Sequence, residues 1–142
     1  MKVSGSHILA VKPERAYEMM QDPEVLARSM PGCESLEKIG EDEYRMKMKM
    51  VLAAVSGAFE GKVRITDQAP PSSFRMLVEG AGKIGFVKGE GLLKFSADGD
   101  GTEVAYDGEV QVGGTIAAVG QRLIDVTSKA MIKKFFEKLA SG

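Results

Sequence analysis

The stretch TIAAVGQRLIDVTSKAMIKKFFEKL, Thr115 to Leu139, decides how the rest of the chain is read. It carries one long helical pattern, with small residues at its start and Phe and Lys at its close. Ahead of it lie roughly seventy residues that read as strand after strand. An antiparallel sheet with one apolar face needs a cover, and this helix is the only element long enough to supply it. At ~1.5 Å per residue it can cross a curled sheet.

Within the helix, Ile116, Val119, Gly120, Leu123, Thr127, Ala130 and Met131 form a stripe expected to face the sheet. Gln121, Arg122, Asp125, Ser128 and Lys129 lie opposite. Ala117, Ala118 and Gly120 reduce bulk near the start, which allows either close helix–sheet approach or a void beneath. Further on the pattern rotates. Lys134 falls on the stripe, while Ile132, Phe135, Phe136 and Leu139 move to another side among lysines. Two readings are open. The last turns pack on other helices and the lysines are solvated, or Lys129, Ile132, Lys133, Phe135, Phe136 and Lys138 contact an anionic membrane or a partner protein.

Working backwards, Val3 to Val11 reads as a strand. Pro13 and Asp22-Pro23 open two short helices, the second stopping before Pro31-Gly32. Strands follow at hairpin spacing: Glu34 to Ile39, Glu43 to Ala53, Val55 to Asp67, and Ser73 to Gly80 after the Pro70-Pro71 turn. The second of these alternates Tyr44, Met46, Met48 and Met50 against Arg45, Lys47 and Lys49, the period of a half-buried strand. Gly80 to Gly91 reads as a bent hairpin region, Leu92 to Ala97 as a strand, and Thr102 to Val112 as the last strand. The fold class is therefore α+β: one strand, two short helices, about six more strands and a long closing helix, in a single domain over residues 1–142.

The 142 residues hold 19 basic and 20 acidic side chains, a balance that argues against a nucleic-acid partner. One cysteine, Cys33, cannot form an internal disulfide, which fits a cytoplasmic setting. No stretch reaches the ~18 apolar residues of a membrane span, and no secretory leader is read at the N-terminus. Catalytic and metal signatures are absent from the pattern. His7 is the only histidine and reads as structural; a Cys33–His7 pair has no sequence support. The glycines between 80 and 91 lack the ending of a phosphate loop. No catalytic residue, metal or cofactor is expected. The 17 Gly and 9 Met, with no Trp, favour a curved sheet around an adaptable apolar interior. Its expected lining is Met46, Met48, Met50, Phe59, Val63, Phe74, Met76, Leu93 and Phe95, closed by Ile116, Val119, Leu123 and Thr127. The same side chains could instead fill a solid core.

The segment DPEVLARSMPGCESLEKIGEDEY, Asp22 to Tyr44, resembles the signature of the carbon monoxide dehydrogenase CoxG family. GAFEGKV at Gly57 to Val63, GTEVAYDGEVQVGGTIAAVGQRLI at Gly101 to Ile124 and KKFFEKL at Lys133 to Leu139 extend the likeness over essentially the whole chain. That resemblance implies the START-like, helix-grip (SRPBCC) fold: a seven-stranded curved antiparallel sheet around a long C-terminal helix, with an internal apolar cavity. It also implies a non-catalytic accessory protein of a molybdenum-hydroxylase or carbon monoxide dehydrogenase-type system. Such a protein would bind a hydrophobic ligand, lipid or quinone-like, and aid attachment to the cytoplasmic face of the membrane. Tyr17 stands where many members of the superfamily carry Trp. The chain ends at Gly142, where many CoxG-like proteins continue into an apolar tail, so membrane contact is expected from the folded domain. Two alternatives stand beside this reading. One is a protein–protein adaptor with a solid core, docking through Pro31-Gly32-Cys33 and Phe135-Phe136. The other is a small cavity enzyme, such as a cyclase or dehydratase, built from His7, Tyr44, Tyr106 and Glu90.

Overall fold

The computed structural model describes residues 1–52 and 55–141. Its elements run β1 (Lys2–Leu9), α1 (Pro13–Met19), α2 (Pro23–Ser29), β2 (Cys33–Gly40), β3 (Glu43–Leu52), β4 (Val55–Ala69), β5 (Ser73–Gly82), β6 (Gly85–Asp98), β7 (Gly101–Gly113), a 3-10 segment (Gly114–Val119) and α3 (Gln121–Ser141). All seven strands join one antiparallel sheet in the order β1-β7-β6-β5-β4-β3-β2. Ala53, the expected last residue of the third strand, lies outside the described residues.

The local starts follow from the sequence. Pro13 opens α1, and Asp22 caps α2 by accepting the Glu24 N–H at 3.0 Å, with Pro23 in the first turn. Alternation fixes which strand residues turn inward. Tyr44, Met46 and Met48 are buried between exposed Arg45, Lys47 and Lys49. Around Phe74, which is fully buried, Tyr17 packs edge-on at 5.4 Å and Phe95 at 5.6 Å. This main core includes Leu9, Val104 and Leu139. A second cluster, Phe59, Ile116 and Ile124, sits at the end of the sheet where the 3-10 segment begins.

Hydroxyl groups tie the short helices to the sheet. The Tyr17 hydroxyl donates to Gln68 Oε1 at 2.9 Å, and Tyr44 donates to the Gln21 carbonyl at 2.8 Å. The fully buried Thr102 donates to the Val11 carbonyl at 2.7 Å. Each bond satisfies a polar group that folding takes from water.

One sequence expectation is corrected and another is given new bounds. The helix does not run unbroken from Thr115. Residues 114–119 are 3-10, Gly120 takes φ 100° and ψ 148°, and α3 begins at Gln121. The cause is tertiary: the Ile116 N–H donates to the Ile84 carbonyl at 2.9 Å, which ties this segment to the β5–β6 turn. The apolar face consequently has another phase. Ile124, Phe136 and Leu139 are buried, with Met131, Ile132 and Phe135 half-buried between them. These six fall on one arc of about 140° at ~100° per residue, so the face does not rotate partway along. Ala130, placed on the sheet-facing stripe by the sequence pattern, is exposed.

The second point concerns Gly80 to Gly91. The hairpin read there is present, but its strands are longer than the pattern gave. β5 continues to Gly82, Lys83-Ile84 makes a two-residue turn, and β6 begins at Gly85. Its glycines lie where backbones crowd. Gly91 faces Gly108, where an added Cβ would press on the Glu90 carbonyl.

Candidate functional site

An apolar pocket of about 330 Å3 lies between the inner face of the sheet, α2 and α3. It is open to solvent rather than sealed, and its wall is carbon and sulfur. Seven of the chain's nine methionines line it: Met20, Met30, Met46, Met48, Met50, Met76 and Met131. Leu26, Pro31 and Leu36 close one side; Phe59, Val63, Val78, Gly80, Val87, Leu93 and Tyr106 form the sheet wall; Ile132, Phe135 and Phe136 come from α3. The volume falls in the range of small-molecule pockets. Thioether side chains with three rotatable bonds suit a wall that must adapt to its contents.

The room comes partly from an absent side chain. Gly80 lines the pocket, and a Cβ there would find no heavy atom closer than 3.6 Å. Neighbouring glycines are different. A Cβ at Gly61 or Gly82 would collide with the carbonyl of Glu79 or Ala58. Gly80 therefore leaves space where its neighbours avoid a clash.

The structure gathers some of the expected lining residues and separates others. Met46, Met48, Met50, Phe59, Val63, Met76 and Leu93 all reach the pocket. Phe74 and Phe95 do not; they are spent on Tyr17 in the main core. Ile116, Val119 and Leu123 belong to the second cluster, and Thr127 is half-buried on α3 away from the lining. The break at Gly120 explains this, since it takes the first positions of the expected stripe off the α3 surface that covers the pocket.

Ile132, Phe135 and Phe136, placed on an outward contact surface by one of the two sequence readings and packed inward by the other, turn into the fold. Phe136 is 5% exposed and stacks on His7 at 4.3 Å, and all three line the pocket. Only Lys129, Lys133 and Lys138 of that set are exposed. The lysines made the segment resemble surface, but α3 buries the arc between them. Lining residues that pattern reading did not assign include Met20, Met30, Leu36 and Tyr106. The excess of Met was the available signal for the first two.

The thin catalytic candidates do not converge. Glu90 is exposed on the outer face of the sheet, and the Tyr44 hydroxyl is engaged with the Gln21 carbonyl. His7 stacks on Phe136, and burial lowers its pKa below the ordinary 6.5, with Glu137 opposing. Burial raises the Tyr106 phenol above its usual range. Cys33 contacts the Ser35 carbonyl at 3.5 Å, and burial pushes its thiol up, away from the reactive thiolate. Among the described residues, no group of three or more His, Cys, Asp or Glu could hold a metal ion. A larger hollow of about 450 Å3 on the outer face is lined by charges of both signs, including Lys62 and Glu43, 3.9 Å apart.

Sheet and covering helix together define a START-like, helix-grip fold. The family model for CoxG of carbon monoxide dehydrogenase matches residues 5–142, and the chain belongs to that family. A conserved protein from Geobacillus kaustophilus is similar in structure, with TM-score 0.93 and 34% identity, covering 99% of this chain and 93% of that one. A START superfamily protein from Mycobacterium smegmatis gives TM-score 0.73 at 14% identity, covering 99% and 94%. The di-domain ARO/CYC StfQ from the steffimycin biosynthetic pathway gives TM-score 0.71 at 10% identity, covering 99% of this chain and 49% of that chain. The last two show the fold alone. No curated protein matches the chain.

Proposed function

We propose that this protein is a non-catalytic carrier that holds an apolar molecule, lipid or quinone-like, in the pocket beneath α3. In that role it would serve a carbon monoxide dehydrogenase or related molybdenum-hydroxylase system at the cytoplasmic face of the membrane. The observation that carries the reading is the wall itself: about 330 Å3 bounded by carbon and sulfur, with seven methionines. Such a wall offers no general acid, base or nucleophile beyond a Tyr106 phenol whose pKa is raised. Affinity would come from apolar area removed from water, at ~25 cal/mol per Å2. Family membership supports the accessory role and the choice of partner system. Among the described residues no helix is long and apolar enough to cross a membrane.

Native mass spectrometry and solvent extraction of freshly purified protein test the reading, together with binding of a polarity-sensitive fluorescent probe. A co-purifying apolar molecule and saturable probe binding are expected. Gly80→Val adds apolar volume at the pocket wall, its Cβ in ordinary contact with the Glu60 carbonyl at 3.6 Å, and should weaken probe binding about tenfold, as overfilled apolar sites do. Unchanged affinity in a folded Gly80→Val protein would sink the carrier reading.

A further inference from the structure

The seven-stranded sheet has two borders, β2 and β1, and they are finished differently. β2 is irregular, with register shifts at Cys33/Ser35 and Lys38/Gly40, carries Glu34, Glu37 and Lys38, and packs on α2. Bulges, charges and a covering helix are what keep a border strand from pairing with another chain. β1 has none of the first two along its length. Its 8 residues pair with β7 without a shift, and no charge or proline stands between Lys2 and Leu9.

Which backbone groups of β1 stay free follows from one pair of bonds. The Val110 N–H donates to the Met1 carbonyl at 2.8 Å, and the Met1 ammonium donates to the Val110 carbonyl at 3.0 Å. In an antiparallel ladder such bonded pairs alternate with pairs whose N–H and C=O groups face away from each other. Val3, Gly5, His7 and Leu9 therefore bond to β7, and the backbone groups of Lys2, Ser4, Ser6 and Ile8 point off the sheet. These four residues are exposed, Ile8 at 54%. Among the described residues, no hydrogen bond from another segment reaches them.

The free row is complementary to itself. A second β1 laid antiparallel, with a two-fold axis at Gly5, sets Lys2 opposite Ile8 and Ser4 opposite Ser6. That register uses the whole row and gives about eight backbone hydrogen bonds, whereas an axis at Ser4 or Ser6 leaves part of the row unpaired. No like charges come opposite each other. The Lys2 stem covers Ile8 of the second copy, and its ammonium is within reach of that copy's Glu103, the β7 neighbour of Ile8. Over Gly5 lies the Tyr106 phenol: a Cβ on Gly5 would stand 2.6 Å from its hydroxyl, which has no hydrogen-bond partner among the described residues. A two-fold axis at Gly5 brings two such hydroxyls together.

We propose that β1 is a homodimerisation edge, which joins two copies into one continuous sheet through an antiparallel β1–β1 pair centred on Gly5. The pairing stands apart from the carrier reading, because none of Lys2, Ser4, Ser6 and Ile8 lines the pocket. A strand-to-strand contact is small and association correspondingly weak, so sedimentation equilibrium of the full chain from about 5 to about 500 µM tests it. A reversible dimer is expected within that range. Amide exchange followed by NMR should slow about fivefold at Ser4, Ser6 and Ile8 as concentration rises, and stay nearly constant at Val3, Gly5 and His7, which are bonded in both states. Ser6→Pro removes an outward N–H without touching the β7 ladder and should weaken the dimer about tenfold or more. Ser4→Lys combined with Ser6→Lys should also weaken it, and mixing that protein with Ser4→Glu combined with Ser6→Glu should restore pairing as a mixed dimer. Glu34→Lys combined with Glu37→Lys, on the β2 border, should change association less than about twofold. A single monomeric species throughout the range overturns the proposal and leaves the edge to an extended segment of another protein. So does a dimer that survives both Ser6→Pro and the lysine pair, or one lost in the β2 variant alone.

Discussion

His7 is held by stacking: its ring lies 4.3 Å from Phe136 and 14° from parallel. Burial favours the neutral imidazole, so the folded pKa lies below the 6.5 of an exposed histidine, Glu137 only partly opposing. Between the two values the unfolded chain binds more protons. Stability therefore falls as pH drops from 6.5 toward the folded value, and is unaffected by this group above that window. Denaturant midpoints measured from about pH 7 to about pH 5 should decline in the parent and decline less in His7→Phe. Equal slopes would remove His7 as the cause. A structural role for His7 was legible because the chain offers no second imidazole. Its partner was not: Lys133, Lys134 and Lys138 surround Phe136 in the sequence, and only the placement of α3 against β1 shows that the ring is covered. Gly32 is a second single-residue point. At φ 78° its Cα faces the Lys49 carbonyl, so a methyl group would meet backbone as well as strain. Gly32→Ala should lose about 1–3 kcal/mol in equilibrium unfolding, through displacement of the loop from β3.

Elements were legible where side chains alternate or a cap declares itself. β3 can be read from Tyr44, Met46 and Met48, and α2 from Asp22-Pro23. The break at Gly120 could not be read, because glycine inside a helix costs only ~1 kcal/mol and does not by itself end one. What ends the pattern is the Ile84 carbonyl on a distant turn. The backbone at Gly120, φ 100° and ψ 148°, lies where residues with a Cβ are strained. Gly120→Ala should therefore destabilise the fold by about 1–3 kcal/mol although no atom lies within 4 Å of the new methyl. A variant as stable as the parent would mean that the 3-10 segment and α3 can fuse into one helix.

At the scale of the whole molecule, a ligand that binds only the folded form raises stability by mass action. At a hundredfold excess over Kd this is about 2.7 kcal/mol, worth several degrees in Tm for a chain of this length. Thermal scans with increasing apolar ligand should show that rise in the parent and a smaller one in Gly80→Val. Sheet and covering helix were evident from pattern alone, because patterning is local. The strand order has one more consequence. β1 pairs with β7, Lys2 opposite Glu109 and Leu9 opposite Thr102, so the first strand finds its neighbour only after nearly all the sheet has been made. During synthesis β1 must wait, and the methionine face stays bare until α3 follows. Late, long-range closure of this kind makes for slow folding, and exposes the newborn chain to sticking.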